Sequence, residues 1–239
     1  MMNVLAIGAH PDDVELGAGG TLVRHITRGD NVTLLVMTRG ELGIYDEASR
    51  FGEQQHATEA LGATLLWGGF PDGAVPSGAD AITVIDEAIE RTNASLVYTH
   101  APDDTHQDHR STAIASLAAA RRVSTVLYYE TPSTQHFQPT LFVDVEESLD
   151  SKIELLRAHL SQVLRDGPVD LEAIVAQARF RGSQSRVRHA EAFETARFVW
   201  DLVPPSAHDD AVLEALEGEP LTTVNEVRSI EQAVRELVR

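Results

Sequence analysis

The sequence predicts a single α/β domain built on a mostly parallel sheet with helices on both faces. Between residues 4 and 129, short apolar runs rich in Val, Leu and Ile alternate with longer stretches of helical character. Parallel strands need crossover connections of roughly a dozen residues, and strands that are buried on both faces are nearly continuous in apolar residues. Hydrophobic residues make up 43% of the 239 residues, which is enough for a full core.

The strands are predicted from short runs of β-branched, aromatic and aliphatic residues bounded by turn residues. The first run, VLAIG, is entirely apolar, and the last, STVLYY, is the richest in β-branched and aromatic side chains. In chain order the predicted strands are Val4–Gly8, Asn31–Met37, Thr64–Trp67, Ser95–Tyr98, Ser124–Tyr129 and, after a looser stretch beyond Pro132, Leu141–Val145.

The helices are predicted from strong helix formers and from apolar spacing of three and four residues. A glycine-rich turn at Gly17–Gly20 is expected before the first helix, Gly62 ends the second, and the fourth is rich in alanine. The predicted helices are Thr21–Arg28, Glu53–Leu61, Ala79–Arg91, His109–Arg122, Ser148–Leu164 and Val169–Arg181.

The C-terminal part of the chain is expected to be an extension of the same domain. We place the main domain at residues 1–200 and the extension at residues 201–239. The extension carries Pro205 and Pro220 and ends in a predicted helix at Val224–Val238, whose apolar residues have helical spacing. Such a helix can pack on its own domain or on a neighbouring molecule, and we favour its own domain.

Composition excludes several classes of function. Acidic residues outnumber basic ones by 37 to 19, giving a formal charge of −18, which argues against nucleic acid or an anionic membrane as a partner. The absence of cysteine excludes a disulfide scaffold, a thiolate zinc site and a cysteine nucleophile. No apolar run approaches the roughly 18 residues of a membrane span, and no signal peptide is evident. A soluble, cytoplasmic protein is expected.

Two dense clusters of His and acidic residues follow two of the predicted strands. The first is the sequence AHPDDVE at residues 9–15, and the second runs from His100 to His109. In open α/β sheets, ligands bind outside the carboxyl ends of the strands, where both clusters fall. Imidazole and carboxylate groups are good zinc ligands, and three protein ligands with an open fourth position are typical of a catalytic site. The clusters therefore predict a catalytic metal site.

The spacing of residues within the two clusters narrows the choice of metal ligands and of the catalytic base. His10 and Asp13 lie three residues apart across a turn held by proline, so both can face one ion. His106 and His109 lie three apart at a helix start, which places them on one face but does not decide which is the ligand. Asp12, beside Asp13, is suited to accept a proton from an attacking water.

Simpler interpretations exist for individual pieces of the clusters. A single HPD turn is commonly a local turn motif, and Asp103 and Asp104 are expected to be capping residues near a helix N-terminus. His100 is as consistent with a packed histidine as with a ligand. The other histidines are expected to be ordinary surface or partly packed residues: His25, His56, His136, His159 and His208.

Two other catalytic classes are not supported. The sequence Gly17-Ala18-Gly19-Gly20 lacks the spacing of a dinucleotide-binding loop, and the second strand ends in Thr38 rather than an acid. No G-x-S-x-G motif is present, so a serine hydrolase is unsupported.

Two motifs resemble those of the PIG-L/LmbE-like deacetylases, whose pattern is A-H-P-D-D-x-E followed by H-x-D-H. They are AHPDDVELGAGGTL at Ala9–Leu22 and HQDHRST at His106–Thr112. Weaker similarities extend the resemblance to residues 3–198, at Thr38–Gly43, at Arg50 with Glu53, at Pro71–Gly73 and at Arg181–Phe193. The resemblance implies a Rossmann-like fold and a mononuclear zinc enzyme that removes acetyl groups from N-acetylglucosamine-type substrates. Members often self-associate, which leaves a homo-oligomer open.

The resemblance also implies residue roles. His10, Asp13 and His109 would hold one zinc ion per chain. Asp12 would be the general base, protonated His106 would stabilise the oxyanion, and Asp108 would orient His106. Arg50 and Asp72 match positions that contact sugar hydroxyls or an attached phosphate. His189 stands where many relatives have tyrosine, which suggests a different substrate.

Two alternatives to a zinc deacetylase remain from the sequence. A non-haem iron oxygenase also uses two His and one carboxylate, although such oxygenases usually have β-rich barrels. Consumption of 2-oxoglutarate would support the oxygenase. The second alternative is a sugar- or metal-binding protein of the same fold that catalyses no reaction. An Asp12→Ala substitution separates the deacetylase from the binding protein, since a deacetylase would lose most of its rate and a binding protein would be indifferent.

Overall fold

In the part of the chain that the structure describes, seven strands form one sheet in the order β3-β2-β1-β4-β5-β7-β6. The computed structural model describes residues 1–43, 47–163 and 168–199. The strands are β1 Asn3–Gly8, β2 Asn31–Val36, β3 Thr64–Trp67, β4 Leu96–His100, β5 Thr125–Tyr129, β6 Leu141–Asp144 and β7 Ala190–Arg197. Strands β1 to β5 are parallel, whereas β7 is antiparallel to both β5 and β6. The predicted α/β fold with a mostly parallel sheet is confirmed.

The helices flank this sheet. They are α1 Asp13–Thr27, α2 Glu47–Leu61, α3 Ala79–Thr92, α4 Gln107–Ala119, α5 Leu149–Arg157, α6 Leu160–Val163 and α7 Leu171–Ser185, with one 3-10 turn at Ala120–Arg122 after α4. The predicted helix Ser148–Leu164 is two helices, because the chain turns at Ala158 and His159. His159 is fully buried there, so its assignment as a surface or partly packed histidine was wrong.

Alternate residues of β1 supply two separate layers of the core, one on each face of the sheet. Val4 and Ala6 belong to the cluster that includes residues of α1, α2 and α5. Leu5 and Ile7 belong to the cluster formed with α3 and α4. Because helices cover both faces of the sheet at β1, the sequence of this strand is a continuous apolar run. This is why the strand was predictable from the sequence.

Strand β7 was not predicted. Its sequence, AEAFETAR, mixes alanine with charged residues and has little intrinsic strand propensity. Its conformation is fixed by pairing with β5 on one side and β6 on the other, which are contacts between segments far apart in the chain. Propensity alone therefore could not locate it.

The stretch Gly17–Gly20 lies inside α1, so its prediction as a turn was wrong. These glycines allow other elements to approach the helix closely. A Cβ atom on Gly17 would lie 2.1 Å from the ring of Tyr129, and one on Gly20 would lie 3.0 Å from Val145. The glycines thus serve packing between α1 and its neighbours, which outweighs their low helix propensity.

A buried ion pair contacts the same part of α1. Lys152 Nζ lies 2.6 Å from Glu191 Oε1 and donates a hydrogen bond of 2.7 Å to the Leu16 carbonyl. The Glu191 carboxylate accepts from the backbone N–H groups of Gly20 at 2.9 Å and Thr21 at 2.7 Å. The charged pair therefore has hydrogen-bond partners on the backbone of the helix, as a buried charge requires.

We expect Gly17→Ala to lower the free energy of unfolding by about 3 kcal/mol, the upper end of the range for overpacked cores. The new methyl group would overlap the buried Tyr129 ring, whose hydroxyl donates to the Ile7 carbonyl at 2.8 Å and holds the ring in place. Urea unfolding measures the change. Gly52→Ala is the matched control, because this exposed helical glycine has no atom within 4 Å of its added Cβ. The control should be neutral or stabilising by about 0.5–1 kcal/mol, and equal losses in both variants would contradict the packing argument.

The topology positions the two sequence clusters at one place. From β1 the chain adds β2 and β3 on one side, and from β4 it adds β5 on the other, so β1 and β4 are neighbours at the point where the strand order reverses. Ligands of open α/β sheets bind in the crevice outside the carboxyl ends of such strands. The residues at the carboxyl ends of β1 and β4, after Gly8 and from His100 onward, therefore meet.

Some predictions concern residues that lie outside the described part of the chain. These are the extension at residues 201–239 and its helix Val224–Val238. No helix within the described ranges is long and apolar enough to cross a membrane.

Candidate active site

The two clusters line one open cavity of about 410 Å³ at the carboxyl edge of the sheet. Seven of the eight residues predicted for the site are in its lining: His10, Asp12, Asp13, Arg50, Asp72, His106 and His109. The eighth, Asp108, is fully buried directly behind His10.

His10 lies between three carboxylates. Its Nδ1 atom is 3.4 Å from Asp13 Oδ2, while its Nε2 atom is 3.0 Å from Asp72 Oδ1 and 3.2 Å from Asp108 Oδ2. Burial alone lowers the pKa of His10, but hydrogen bonds to Asp108, Asp13 and Asp72 outweigh it and raise the pKa well above its usual value. Asp72 and Asp108 thus fix the far nitrogen of the ring, and the near nitrogen faces Asp13.

Asp13 connects the two sequence clusters. Its Oδ2 atom accepts from the His10 backbone N–H at 2.7 Å, and its Oδ1 atom lies 3.4 Å from His109 Nε2. Burial alone would raise the pKa of this carboxyl group. The charge of His109 and the hydrogen bond with His10 outweigh burial and hold the pKa well below its usual range, so Asp13 is ionised at neutral pH.

His109 is held from behind by Asp104. The Asp104 Oδ2 atom lies 3.2 Å from His109 Nδ1, which leaves Nε2 facing Asp13. Asp104 Oδ1 also accepts the backbone N–H of His106 at 2.8 Å, next to the start of α4, where a capping role was predicted. The contact between Asp104 and His109 was not evident from the sequence. Burial lowers the pKa of His109, but Asp13 and Asp104 outweigh it and raise the pKa to about 9.

His106 begins α4 and faces both of the other cavity histidines. Its ring centroid is 4.7 Å from that of His10 and 4.6 Å from that of His109. Its Nδ1 atom accepts the backbone N–H of Asp108 at 3.2 Å. Burial and the charges of His10 and His109 lower the pKa of His106. The neutral ring therefore carries its proton on Nε2, whereas the family motif implies a doubly protonated ring.

The Asp108 carboxylate does not contact His106, contrary to the expectation from the family motif. Its Oδ2 atom accepts the Gly73 N–H at 2.7 Å and faces His10, and its Oδ1 atom accepts the Val75 N–H at 3.1 Å. Only the backbone N–H of Asp108 reaches the His106 ring. The reason is geometric: the side chain points from α4 towards the loop at residues 73–75.

Asp12 lies at the N-terminus of α1 in a left-handed conformation, with φ of 90° and ψ of −23°. Its side chain is buried beside Asp13 and 3.7 Å from Arg50 Nη2. Burial and, next, the negative charge of Asp13 raise the pKa of Asp12 to about 7. A carboxyl group with such a pKa can accept and return a proton near neutral pH.

Arg50 and Asp72, the predicted substrate contacts, are already bonded to protein groups. Arg50 donates to the carbonyls of Pro11 at 2.8 Å and Gly40 at 3.4 Å. Asp72 Oδ2 accepts the Leu42 N–H at 3.0 Å while Oδ1 faces His10, and the hydrogen bond from His10 lowers the pKa of Asp72 to about 2. A substrate contact by either residue stays a prediction.

His100 is a fully buried histidine that packs directly on His109, with ring centroids 4.0 Å apart. Its Nε2 atom lies 3.1 Å from Asp13 Oδ2 and accepts the Ala9 N–H at 3.1 Å. Burial and the charge of His109 lower the pKa of His100 to about 4, so the ring is neutral.

His189 does not belong to the described lining of the cavity, and its Nδ1 atom lies 2.5 Å from Glu146 Oε2.

Among the described residues, three overlapping groups of side chains could hold a metal ion, each with ligand atoms within 4.8 Å of one another. They are His10 with His106 and His109, Asp13 with His100 and His109, and His10 with Asp72 and Asp108. The predicted set, His10, Asp13 and His109, combines members of the first two. The cavity is therefore chemically suited to a metal ion.

Comparison with known proteins identifies the family. The PIG-L family, described as GlcNAc-PI de-N-acetylase, matches residues 5–120, which contain both motifs. The chain is 36% identical over 167 residues to the uncharacterized deacetylase YaiS of Escherichia coli K12, covering 66% of this chain and 90% of that protein. The chain belongs to the PIG-L family.

Other proteins match this PIG-L protein over most of its length. The diacetylchitobiose deacetylase of Thermococcus kodakarensis is 26% identical over 232 residues, with 86% of this chain and 87% of that protein covered. Among solved structures, the conserved protein TT1542 of Thermus thermophilus superimposes with a TM-score of 0.76 at 27% identity, covering 87% of this chain and all of that one. The family expectation from the two motifs is confirmed.

Proposed function

We propose that this PIG-L protein is a zinc-dependent hydrolase that removes the acetyl group from an N-acetylglucosamine-type amino-sugar conjugate. One observation carries the proposal. Side chains from two distant segments of the chain, His10 and Asp13 after β1 and His109 in α4, converge beside the buried base candidate Asp12 in an open cavity. Two His, one carboxylate and an adjacent base are the parts that metal-assisted amide hydrolysis needs.

The donor set suits zinc. His109 is bonded through Nδ1 to Asp104, and His10 through Nε2 to Asp72 and Asp108, so each ring presents its other nitrogen to Asp13. Histidine ligands of metals are typically held in this way by a carboxylate on the far nitrogen. A zinc ion held by His10, Asp13 and His109 would polarise the acetyl carbonyl and lower the pKa of the attacking water.

In this proposal, Asp12 acts as the general base and then as the general acid. Its carboxylate lies in the cavity lining next to Asp13 but is not needed as a ligand, which leaves it to accept the proton of the attacking water. Asp12 then delivers that proton to the amine of the sugar as the C–N bond breaks. Acetate and the free amino sugar are the products.

His106 is placed to stabilise the negative charge that develops on the acetyl oxygen. Because Nδ1 accepts the Asp108 N–H, Nε2 is the ring atom that carries a proton and can donate it as a hydrogen bond. A donor of this kind typically stabilises a transition state by about 3–4 kcal/mol.

The substrate class rests on relatives and on the cavity. The Thermococcus relative is a deacetylase of diacetylchitobiose, an N-acetylglucosamine disaccharide. The cavity volume of about 410 Å³ falls within the roughly 300–1,000 Å³ typical of small-molecule sites. We infer that one N-acetylhexosamine unit enters the cavity with its acetyl group towards His10 and His109.

Asp104→Asn is expected to weaken zinc binding by about 10- to 100-fold, since loss of a partner of a ligating histidine typically has that effect. Asparagine has nearly the same side-chain volume as aspartate, but it lacks the negative charge that stabilises His109 in its present orientation. Competition with a chromophoric chelator measures the affinity. Asp103→Asn is the matched control, because the Asp103 side chain is exposed and pairs only with the exposed His136 in the described structure. Equal zinc affinity in wild type and Asp104→Asn would contradict the assigned role.

The test of the proposed function combines metal content with product release. We expect about one zinc per chain in protein purified without chelators, together with release of free amine and acetate from N,N′-diacetylchitobiose and other N-acetylglucosaminides. Iron at that level with consumption of 2-oxoglutarate and no amine release would favour the oxygenase alternative. Sugar binding without amine release, in protein fully loaded with zinc, would favour a binding protein.

A further inference from the structure

Two side chains of α2 hold a single peptide unit of the active-site turn. Arg50 Nη2 donates to the Pro11 carbonyl at 2.8 Å, and the Asp12 N–H donates to Gln54 Oε1 at 3.1 Å. Both polar groups of the Pro11–Asp12 peptide are therefore bound. Arg50 and Gln54 are four residues apart, so they lie on one face of the helix.

This peptide adjoins a strained residue. Asp12 has φ of 90°, which for residues other than glycine costs of order 1–3 kcal/mol and persists only where surrounding contacts impose it. On its other side, the Asp12 carbonyl accepts the Leu16 N–H at 2.9 Å at the start of α1. Rotation of the Pro11–Asp12 peptide would break the bonds from both α2 residues at once.

Gln54 is itself fixed in orientation. It is completely buried, and its Nε2 atom donates to Glu15 Oε1 at 2.7 Å and to Thr58 Oγ1 at 3.3 Å. These two acceptors hold the amide nitrogen away from Asp12, so the amide oxygen faces the Asp12 N–H.

Arg50 is equally constrained. It is 6% exposed, and its second contact is the carbonyl of Gly40. A Cβ atom on Gly40 would lie 2.4 Å from Arg50 Nη1, so only glycine there leaves room for the guanidinium.

We propose that Arg50 and Gln54 form a clamp that positions Asp12. The proposal rests on the proposed function in one respect, the role of Asp12 as general base. Gln54 does not contact the Asp12 carboxylate, and Arg50 Nη2 lies 3.7 Å from Asp12 Oδ1, beyond hydrogen-bond distance. Both are positioning residues that hold the backbone from which the Asp12 carboxylate projects. Because a displacement of about 1 Å of a catalytic group can reduce a rate by about 100-fold, a clamp on this peptide has a kinetic effect.

The test uses zinc-loaded full-length protein and compares Gln54→Met with Gln55→Met. The first substitution keeps the volume of the buried side chain but removes its hydrogen-bonding groups. The second makes the same chemical change one residue further along, at an exposed position of α2. The clamp predicts that Gln54→Met lowers kcat by about 10- to 100-fold with KM and zinc content unchanged, and that Gln55→Met matches wild type.

Arg50→Lys provides a second variant, because lysine keeps the charge but lacks the planar fork that reaches two carbonyls. The clamp predicts a lower kcat in Arg50→Lys. A higher KM with unchanged kcat would show that Arg50 binds the substrate and would overturn its part in the clamp. A kcat of Gln54→Met equal to that of wild type would overturn the role of Gln54 in the clamp.

Crystal structures of wild type and Gln54→Met give a readout that does not depend on activity. The clamp predicts that Asp12 leaves the left-handed region in the variant, and an unchanged Asp12 backbone would overturn it. If wild type releases no amine from any N-acetylglucosaminide, the proposed function fails, and these structures still decide the clamp.

Discussion

Asp12→Asn is expected to lower kcat for N-deacetylation by about 10²- to 10⁴-fold, the usual contribution of a general base. Asparagine has nearly the same volume as aspartate and tolerates the left-handed conformation that residue 12 adopts. Its N–H can still donate to Gln54, so the turn should be preserved. What the amide cannot do is accept the proton of the attacking water. Steady-state rates of amine release from zinc-loaded protein measure the effect.

The adjacent position provides the comparison for this prediction. Asp12→Asn should leave zinc content unchanged, whereas Asp13→Asn should weaken zinc binding as well as activity, because Asp13 lies between His10 and His109. A rate for Asp12→Asn within tenfold of wild type would show that another group acts as the base. Loss of zinc in Asp12→Asn would instead make Asp12 part of the metal site.

His109→Ala is expected to abolish zinc binding at micromolar zinc and, with it, deacetylation. His109 belongs to two of the three groups that could hold a metal ion, and its ring stands between Asp13 and Asp104. Its removal takes away a proposed ligand and one hydrogen-bond partner of each of the two carboxylates. The loss of affinity should exceed the roughly 10- to 100-fold typical for changes to residues behind a ligand. Elemental mass spectrometry and chelator competition measure it.

His56→Ala is the control for the loss of a histidine, since His56 is exposed on α2. Zinc content and activity should equal those of wild type. Treatment of wild type with a chelator should reproduce the loss of activity in His109→Ala, and added zinc should restore wild type but not the variant. Full activity of His109→Ala in metal-free buffer would exclude zinc dependence.

The strands β1, β2, β4 and β5 were predictable because their burial on both faces demands continuous apolar runs, as in VLAIG before the first motif. The convergence of His10 with His109 followed from the rule for strand ends in parallel sheets. Strand β7 and the helical state of Gly17–Gly20 escaped prediction, because each depends on a distant partner. The partners are β5 and β6 for the strand and Tyr129 for Gly17.

The sequence by itself determined the fold class, the family and the residues that gather at the cavity, since apolar periodicity and motif spacing are local properties of the chain. Only the tertiary structure decided which atoms meet. It turned the Asp108 carboxylate and Asp72 towards His10, placed Asp104 behind His109, and brought Arg50 and Gln54 to the Pro11–Asp12 peptide. Side-chain direction depends on how separate elements pack, and a polar group that is buried must find its partner there, wherever that partner lies in the chain.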